Sequence, residues 1–265
     1  MSQEDIARDI ADPSRFAGLA ALLDHAAPPW VEGTVPPLGH WLCFQPQALQ
    51  SEIGEDGHPR REDGTLPRRM WAGSRIRFLK PVPLGAAIER RTRTAAVNEK
   101  TGRSGRMKFV TLEHRIHLDG GDAVIVEEQD VVYREAADPG APLVRPPGDP
   151  AEPGAATRTI VADPVMLFRY SALTFNGHRI HYDRDYATGA EGYPGLVVHG
   201  PLIATLLMDH LLRSRPALPV AYFEFRAQSP LFDGEPIALS LTTVDGEARL
   251  RAIGPFGTAL QAIAR

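Results

Sequence analysis

The chain has 265 residues, of which 43% are hydrophobic and 23% are charged, as in an ordinary globular protein with one large domain or two smaller ones. Its net charge of −4 and pI near 6.1 argue against nucleic acid or an anionic membrane surface as the main partner. A single cysteine excludes an internal disulfide and is typical of a reducing compartment. No secretion signal follows the acidic N-terminus, and the longest apolar stretch is too short to span a bilayer, so we expect a cytoplasmic protein.

The first half of the chain is predicted to contain one helix followed by antiparallel strands. Apolar residues at helical spacing predict a helix over 14–25. From 74 to 134, alternating, β-branched and aromatic residues indicate strands. Turn-forming residues at 98–102 and 119–122 divide this region, which predicts that the strands are antiparallel neighbours.

A proline- and glycine-rich segment divides the chain. Residues 138–155 contain six prolines and three glycines, which is typical of an extended linker. We therefore predict two domains, 1–137 and 156–265, each long enough to hold its own core. In the second, a helix is predicted at about 201–213, with proline in its first turn. Strands are predicted to follow at about 220–229, 235–245, 247–253 and 257–264.

The two halves share residues at a constant offset. A shift of 149 residues aligns four identical pairs, namely Arg77 with Arg226, Pro81 with Pro230, Gly85 with Gly234 and Ile88 with Ile237. One central helix and a run of antiparallel strands in each half predicts an α+β fold in which a sheet wraps around a helix twice. Duplicated halves are expected to pack as a pseudo-twofold dimer.

One segment is rich in side chains that can carry protons. Three of the nine histidines lie between 178 and 199. Asn176 and Asp183 bracket His178 and His181, which are three residues apart and would share a face of a helical turn. A neutral imidazole is a competent general base near pH 7, and a nearby amide or carboxylate can fix its tautomer and orient a water molecule.

The helix that follows this segment adds a candidate anion site. Gly200 and Pro201 lie at its start, where free backbone N–H groups and the positive end of the helix dipole can hold developing negative charge. A base, a positioned water and an anion site are the parts needed to add water to an activated C=C bond or to remove it.

The same residues resemble the hydratase motif of the MaoC-like dehydratase family. In that family the catalytic histidine is followed by Asp two residues later and by Tyr-Ala, as His181 is followed here by Asp183, Tyr186 and Ala187. Three further segments are similar to the start of the family's central helix and to the strand and turn after it: 198–202, 225–230 and 234–237. The resemblance implies a double hotdog fold, with two antiparallel sheets each wrapped around a central helix and an acyl thioester bound between them.

The sequence departs from the family pattern at the acidic partner of the histidine. The usual Asp is Asn176 here, and the position that is commonly Asn is His178. This version resembles the branch that contains hydroxyacyl-thioester dehydratase type 2 and the mesaconyl-CoA and itaconyl-CoA hydratases. An amide can hold a water molecule but cannot take its proton. The resemblance therefore implies that His181 is the general acid or base and that Asn176 positions water. It leaves His178 as a second proton carrier or a structural neighbour, and the N–H of Gly200 is expected to polarise the thioester carbonyl.

Other residues are expected to support the site. Asp183 is expected to orient His181, and His199 to fix the loop before the helix. In the first half, residues 40–42 are interpreted as a degenerate counterpart of the helix start, and this half is expected to shape the acyl pocket.

Four residues are candidate substrate ligands. Tyr186 belongs to the motif, and Arg179 would pair with the carboxylate of a dicarboxylic acyl group. Arg60 and Arg61 lie in a polar insertion and would contact CoA phosphates, because clustered guanidinium groups suit phosphate. A solvated loop explains these two arginines equally well.

We therefore expect a hydro-lyase for enoyl and 3-hydroxyacyl thioesters carried by CoA or by acyl carrier protein, with mesaconyl or itaconyl among the candidate acyl groups. The chain is expected to form a homo-oligomer of pseudo-dimeric subunits. No cofactor or metal is expected beyond the CoA of the substrate.

A metal set of His178, His181, Asp183 and His199 has suitable ligand chemistry, but the motif explains these residues without one. Two alternatives stay open: a hotdog thioesterase, and a non-catalytic acyl-thioester-binding protein, which the missing Asp favours.

Overall fold

A computed structural model describes residues 4–60, 66–102, 105–135 and 155–265. Within these ranges the chain forms ten strands and three α-helices. They are, in chain order, β1 (Asp5–Ile10), α1 (Pro13–Leu22), β2 (Arg68–Phe78), β3 (Ala87–Gly102), β4 (Gly105–Leu118), β5 (Ala123–Arg134), β6 (Ala156–Val161), α2 (Pro164–Thr174), α3 (Gly200–Ser214), β7 (Tyr222–Ala227), β8 (Pro236–Val244), β9 (Glu247–Gly254) and β10 (Gly257–Ala264). None of the helices in the described ranges has the length and apolar character needed to cross a membrane.

The ten strands form one antiparallel sheet, in the order β1-β3-β4-β5-β2-β7-β10-β9-β8-β6. Each half of the chain contributes five neighbouring strands, and the halves meet where β2 pairs with β7. The strand order on one side of this junction repeats in reverse on the other, so the sheet has pseudo-twofold symmetry. The predicted α+β class and the double hotdog architecture are confirmed.

The same turn is built in both halves. Gly85 and Gly234 each have a φ of 78°, a conformation that glycine adopts without strain. The N–H of Gly85 donates to the carbonyl of Ala11 at 2.8 Å, and the N–H of Gly234 donates to the carbonyl of Ala162 at 3.0 Å. A capping aspartate followed by proline begins both α1 and α2. The halves therefore share local structure as well as strand order.

Only the second half has a long central helix among the described residues. α3 packs against β8, β9 and β10, and Leu202 to Leu212 are all buried. Between α1 and β2 there are instead two short 3₁₀ turns, at Gly39–Leu42 and Gln50–Glu52. Prolines on both sides of the first turn interrupt this stretch, because proline lacks an N–H and clashes with a preceding helical turn. The helix predicted over 14–25 is confirmed as α1, whereas residues 40–42 form a single turn and not the start of a long helix.

A buried ionic cluster ties α3 to both halves. The Asp209 carboxylate lies 2.5 Å from Nε2 of His25, which follows α1. It also accepts hydrogen bonds from Arg158 of β6 at 2.7 Å and from Arg213 of α3 at 2.9 Å. Although burial opposes ionisation, the bonds from Arg213, His25 and Arg158 lower the pKa of Asp209. Through these contacts, the carboxylate of Asp209 links α3 to His25 in the first half and to Arg158 in the second.

Some boundaries differ from those predicted. The turn predicted at 98–102 is wrong, because these residues continue β3 and pair with β4 as far as Gly102 and Gly105. Backbone pairing in this long ribbon outweighs the low strand propensity of its polar side chains. The elements β1, β6 and α2 were not predicted, and both strands are short edge strands with many exposed residues. The predicted linker lies outside the described residues except for Ala155, so the domain boundaries stay a prediction.

Candidate active site

The motif residues lie on short turns between α2 and α3. α2 ends at Thr174 because Phe175 takes a left-handed conformation, with a φ of 50°. Oδ1 of Asn176 then accepts a hydrogen bond from the N–H of His178 at 3.0 Å, which shapes the next turn. The following 3₁₀ turn, Arg179–His181, brings positions three apart onto one side. The rings of His178 and His181 lie 5.3 Å apart and nearly perpendicular.

His181 is buried, with 7% of its surface exposed, and a backbone carbonyl fixes its ring. Nδ1 lies 2.7 Å from the carbonyl oxygen of Val197. A carbonyl can only accept, so Nδ1 carries the proton and Nε2 of the neutral ring is unprotonated. Nε2 has no hydrogen-bond partner within the described part of the chain. Burial, together with the nearby His178, lowers the pKa of His181 to about 3. Near pH 7 the ring is therefore neutral and the lone pair of Nε2 is free of a proton.

A second imidazole lies flat against the first. His199 stacks on His181 with ring centroids 3.6 Å apart and planes 17° apart. Nε2 of His199 lies 2.9 Å from the hydroxyl oxygen of Ser171 in α2. Burial lowers the pKa of His199 well below its usual range. The ring therefore packs as a neutral group, and it holds His181 against the start of α3.

Gly200 brings a helix terminus next to these rings. It directly follows His199 and is the first residue of α3, so its N–H lies in the turn that has no intrahelical acceptor. The next residue is Pro201, which has no N–H to offer. The carbonyl oxygen of Trp71 in β2 lies 3.8 Å from the position that a Cβ on Gly200 would take. The site is thus bounded by α3 and by the strand at the junction of the halves.

Asp183 does not contact the ring of His181. Its carboxylate accepts two hydrogen bonds from the guanidinium of Arg179, at 2.7 and 3.0 Å, and one from the N–H of Tyr186 at 3.0 Å. The prediction that Asp183 orients His181 is therefore wrong, because the carbonyl of Val197 makes that hydrogen bond.

The guanidinium of Arg179 makes several internal contacts. Besides Asp183, it donates to the carbonyl of Glu55 at 3.0 Å and lies over the ring of Tyr186 at 4.2 Å. The hydroxyl of Tyr186 lies 3.4 Å from the carboxylate of Glu191. Both side chains therefore serve internal contacts, and the roles of Arg179 and Tyr186 as substrate ligands stay predictions.

The arginines of the polar insertion are only partly described. Arg60 is exposed, and its Nε donates to the carbonyl of Ile53 at 3.2 Å. Arg61 lies outside the described residues. Contact of these two arginines with CoA phosphates stays a prediction.

A loop of the first half, residues 53–60, packs against the motif, and sequence reasoning missed it. The ring of His58 lies 4.2 Å from that of His178. Nδ1 of His58 lies 3.1 Å from the carboxylate of Asp56. The backbones touch so closely that a Cβ on Gly57 would lie 1.8 Å from the carbonyl oxygen of Gly177. The only local signal was an aspartate two residues before a histidine in a polar insertion, and nothing in that pattern places it beside residues 176–181.

The charges of this cluster follow from burial and from its hydrogen bonds. Burial, together with the nearby His58, lowers the pKa of His178 to about 3, while Asp56 acts in the opposite direction. Burial raises the pKa of Asp56, but hydrogen bonding to His58 outweighs burial and lowers the pKa to about 2. Near pH 7 the site therefore holds a carboxylate at Asp56 and neutral imidazoles at His178, His181 and His199.

One group in the described ranges has ligand atoms close enough to hold a metal ion. Asp56, His58 and His178 have such atoms within 4.8 Å of one another, and they already contact each other through the hydrogen bond and the ring packing. The metal set considered from the sequence is not assembled, because Asp183 faces Arg179.

A second buried polar cluster lies in the first half. Glu127 of β5 contacts Nε2 of His40 at 3.0 Å and accepts hydrogen bonds from Nε1 of Trp41 at 3.0 Å and from the hydroxyl of Ser74 at 2.6 Å. Burial raises the pKa of Glu127, but the contacts with His40 and Ser74 outweigh burial and lower it. Both carboxylate oxygens of Glu127 have hydrogen-bond partners within the protein, so we interpret this cluster as stabilising the fold and not as a second active site.

Known proteins resemble this chain in sequence and in fold. The sequence model of a family described as hydroxyacyl-thioester dehydratase type 2 matches residues 38–233. The mesaconyl-C(4)-CoA hydratase of Chloroflexus aurantiacus is 46% identical over 267 residues, covering 98% of this chain and 93% of its own. The crystal structure of HtdX from Mycobacterium tuberculosis has a TM-score of 0.70 at 19% identity and is covered over 99% of both chains. Another M. tuberculosis protein, described as a double hotdog fold, has a TM-score of 0.61 at 14% identity, covering 99% of this chain and 94% of its own.

Proposed function

The chain belongs to the hydroxyacyl-thioester dehydratase type 2 family, and we propose that it hydrates a short dicarboxylic enoyl-CoA such as mesaconyl-CoA, with His181 as the base. Reversible hydration of acyl thioesters is the reaction of this enzyme. The observation that carries the assignment of residues is the buried neutral ring of His181, whose Nε2 has no hydrogen-bond partner among the described residues.

The proposed reaction has two steps. Nε2 of His181 takes a proton from water as the water oxygen bonds to the β-carbon, and the π electrons move onto the thioester as an enolate. The N–H of Gly200 holds the enolate oxygen, where the helix dipole favours negative charge. The imidazolium then returns its proton to the α-carbon. Oδ1 of Asn176 is bonded to His178, which leaves its NH₂ group to position the water.

A free carboxylate on the substrate requires a cation that is not already paired. Arg69 of β2 is exposed, and among the described residues it forms no ion pair, yet its charge acts on the pKa of His178. The adjacent Arg68 is bound to Glu191, with a hydrogen bond to its carbonyl at 2.7 Å and an ion pair at 2.9 Å. β2 also carries the carbonyl that lies beside Gly200. We therefore propose that Arg69 binds the carboxylate of the acyl group.

Replacing Arg69 with glutamine tests this assignment. A charge-assisted hydrogen bond contributes about 1.5–3 kcal/mol, so KM for mesaconyl-CoA should rise roughly 10- to 100-fold. KM for crotonyl-CoA, which has no carboxylate, should stay within about twofold. Arg77→Gln is the matched control, since Arg77 is exposed on the same strand roughly 26 Å away at about 3.3 Å per residue. Equal changes in KM for both substrates would exclude the proposed carboxylate contact.

The reaction class is tested with a panel of enoyl-CoA substrates. Loss of absorbance at the enoyl-thioester band without release of free thiol is expected for a hydratase. Release of thiol would assign a thioesterase instead. Neither signal, with acyl-CoA still bound, would assign a binding protein.

The wider proposal concerns the setting of the reaction. We propose that the enzyme works in the cytoplasm as a homo-oligomer, that the first half shapes the acyl pocket, and that the CoA of the substrate is the only cofactor. The single cysteine is typical of a reducing compartment, which supports the cytoplasmic setting. Light scattering of the purified protein and metal analysis test the oligomeric state and the metal content.

A further inference from the structure

The motif segment contains no carboxylate that faces the reacting histidines. Asn176 replaces the acid of the family pattern, and the carboxylate of Asp183 is bound to Arg179. During the proposed reaction a proton rests on an imidazole in a largely buried site. An isolated buried cation is unfavourable unless a nearby charge offsets it. A negative charge from another part of the chain is therefore needed.

The first-half loop supplies one, and its backbone is fixed. Ile53 and Pro59 form a β-bridge, and the N–H of Gly54 donates to the carbonyl of His58 at 2.7 Å. The N–H of Arg179, inside the motif turn, donates to the carbonyl of Asp56 at 2.9 Å. The loop is therefore held to itself and to the motif through backbone hydrogen bonds, which set the positions of its side chains.

These contacts form a continuous row of groups that crosses from one half of the chain to the other. The carboxylate of Asp56 holds Nδ1 of His58 at 3.1 Å, and the His58 ring lies 4.2 Å from that of His178. The ring of His178 lies 5.3 Å from that of His181, which stacks on His199 at 3.6 Å. The carboxylate lies at the more exposed end of the row, and the base lies at the buried end.

We infer that Asp56 and His58 are positioning residues that provide the carboxylate that the hydratase motif lacks. Asp56 orients His58, the pair orients His178, and the charge of Asp56 offsets the positive charge that the site carries while a proton is held on an imidazole. This inference rests on the proposed function. It assigns part of the acid–base site of the second half to the first half, so neither half contains the complete site.

The pH dependence of the reaction should report this charge. The titratable and charged groups that act on His178 come from four elements: His58 and Asp56 of the first-half loop, His199 before α3, Arg69 of β2 and His181 of its own turn. Asp56 is the group among them that favours the protonated form of His178. Removing its charge should therefore make the imidazoles harder to protonate.

The experiment compares Asp56→Asn with Glu55→Gln, an exposed neighbour in the same loop whose side chain forms no hydrogen bond or ion pair in the described structure. Hydration of mesaconyl-CoA is measured from about pH 2.5 to pH 9, so that the range includes the protonation of imidazoles whose pKa is about 3. For Asp56→Asn we expect kcat to fall at least about 10-fold, with KM within about twofold. The acidic limb of the kcat profile should move to lower pH by about one unit or more, as for loss of an opposite charge. Asp56→Glu should recover part of kcat, and Glu55→Gln should match the wild type.

His58→Gln is the second variant, and it is used alone if Asp56→Asn does not fold by circular dichroism. It should lower kcat in the same way. Wild-type kcat and pH profile in the folded variants would overturn the inference and leave the proposed function intact. A bound divalent metal that is stoichiometric in the wild type and lost in His58→Gln would also overturn it. If the wild type hydrates no enoyl-CoA, the proposed function itself fails.

Discussion

Replacing Gly57 with alanine tests whether close contact between the first-half loop and the motif is needed for activity. A Cβ at this position would lie 1.8 Å from the carbonyl oxygen of Gly177, whereas ordinary contacts are 3.4–4 Å. The two segments would have to separate by about 1.6 Å or more. That movement takes His58 away from His178, and a misplacement of about 1 Å can lower a rate about 100-fold. We therefore expect Gly57→Ala to lower kcat by about 10- to 100-fold.

Backbone strain is separated from this displacement by a control at Gly33. Gly57 has a φ of 88° and Gly33 has a φ of 72°, but a Cβ on Gly33 would meet nothing within 4 Å. Alanine in this conformation costs about 1–2 kcal/mol at either position. Urea unfolding should show a loss of about this size in Gly33→Ala and a larger one in Gly57→Ala, while hydration assays should show the loss of kcat in Gly57→Ala alone. Wild-type kcat in a folded Gly57→Ala protein, or an equal loss in Gly33→Ala, would refute the reasoning.

Three further predictions concern stability and the support of the site. Asp209→Ala should lower the free energy of unfolding by about 1.5–3 kcal/mol in urea titrations, because His25, Arg158 and Arg213 all lose their hydrogen bonds to this buried carboxylate. Burial lowers the pKa of His181 from 6.5 to about 3, so its contribution to stability is complete above about pH 6.5 and is lost as pH falls toward 3. His181→Gln should therefore reduce the slope of unfolding free energy between about pH 6 and pH 4 by up to about 1.4 kcal/mol per pH unit. Ser171→Ala removes the hydroxyl that holds His199 and should cost about 1 kcal/mol of stability and lower kcat.

Much of the second half could be predicted because its signals are local. The apolar run after Pro201 predicted the central helix within one residue at each end, since burial of all its faces requires apolar side chains at almost every position. The strands after it were placed by β-branched residues and turns. In the first half, only the structure shows that two short 3₁₀ turns replace the corresponding helix.

The candidate site was predicted only as far as the motif extends. His181 and Gly200 belong to a recognisable local pattern, and the structure brings them together through His199. The partner of His181 could not be read from side chains, because it is the backbone carbonyl of Val197. Asp56 lies more than a hundred residues before the motif, and its position depends on pairing between the two halves. No periodicity or spacing encodes such a contact.

The central claim is that His181 takes the proton from water. The direct test is kcat for hydration of mesaconyl-CoA by His181→Ala near pH 7, with circular dichroism to confirm folding and thiol detection to monitor hydrolysis. A general base contributes about 100- to 10,000-fold, so we predict a loss of kcat in that range. Hydration by the folded variant within a few-fold of the wild-type rate would contradict the claim.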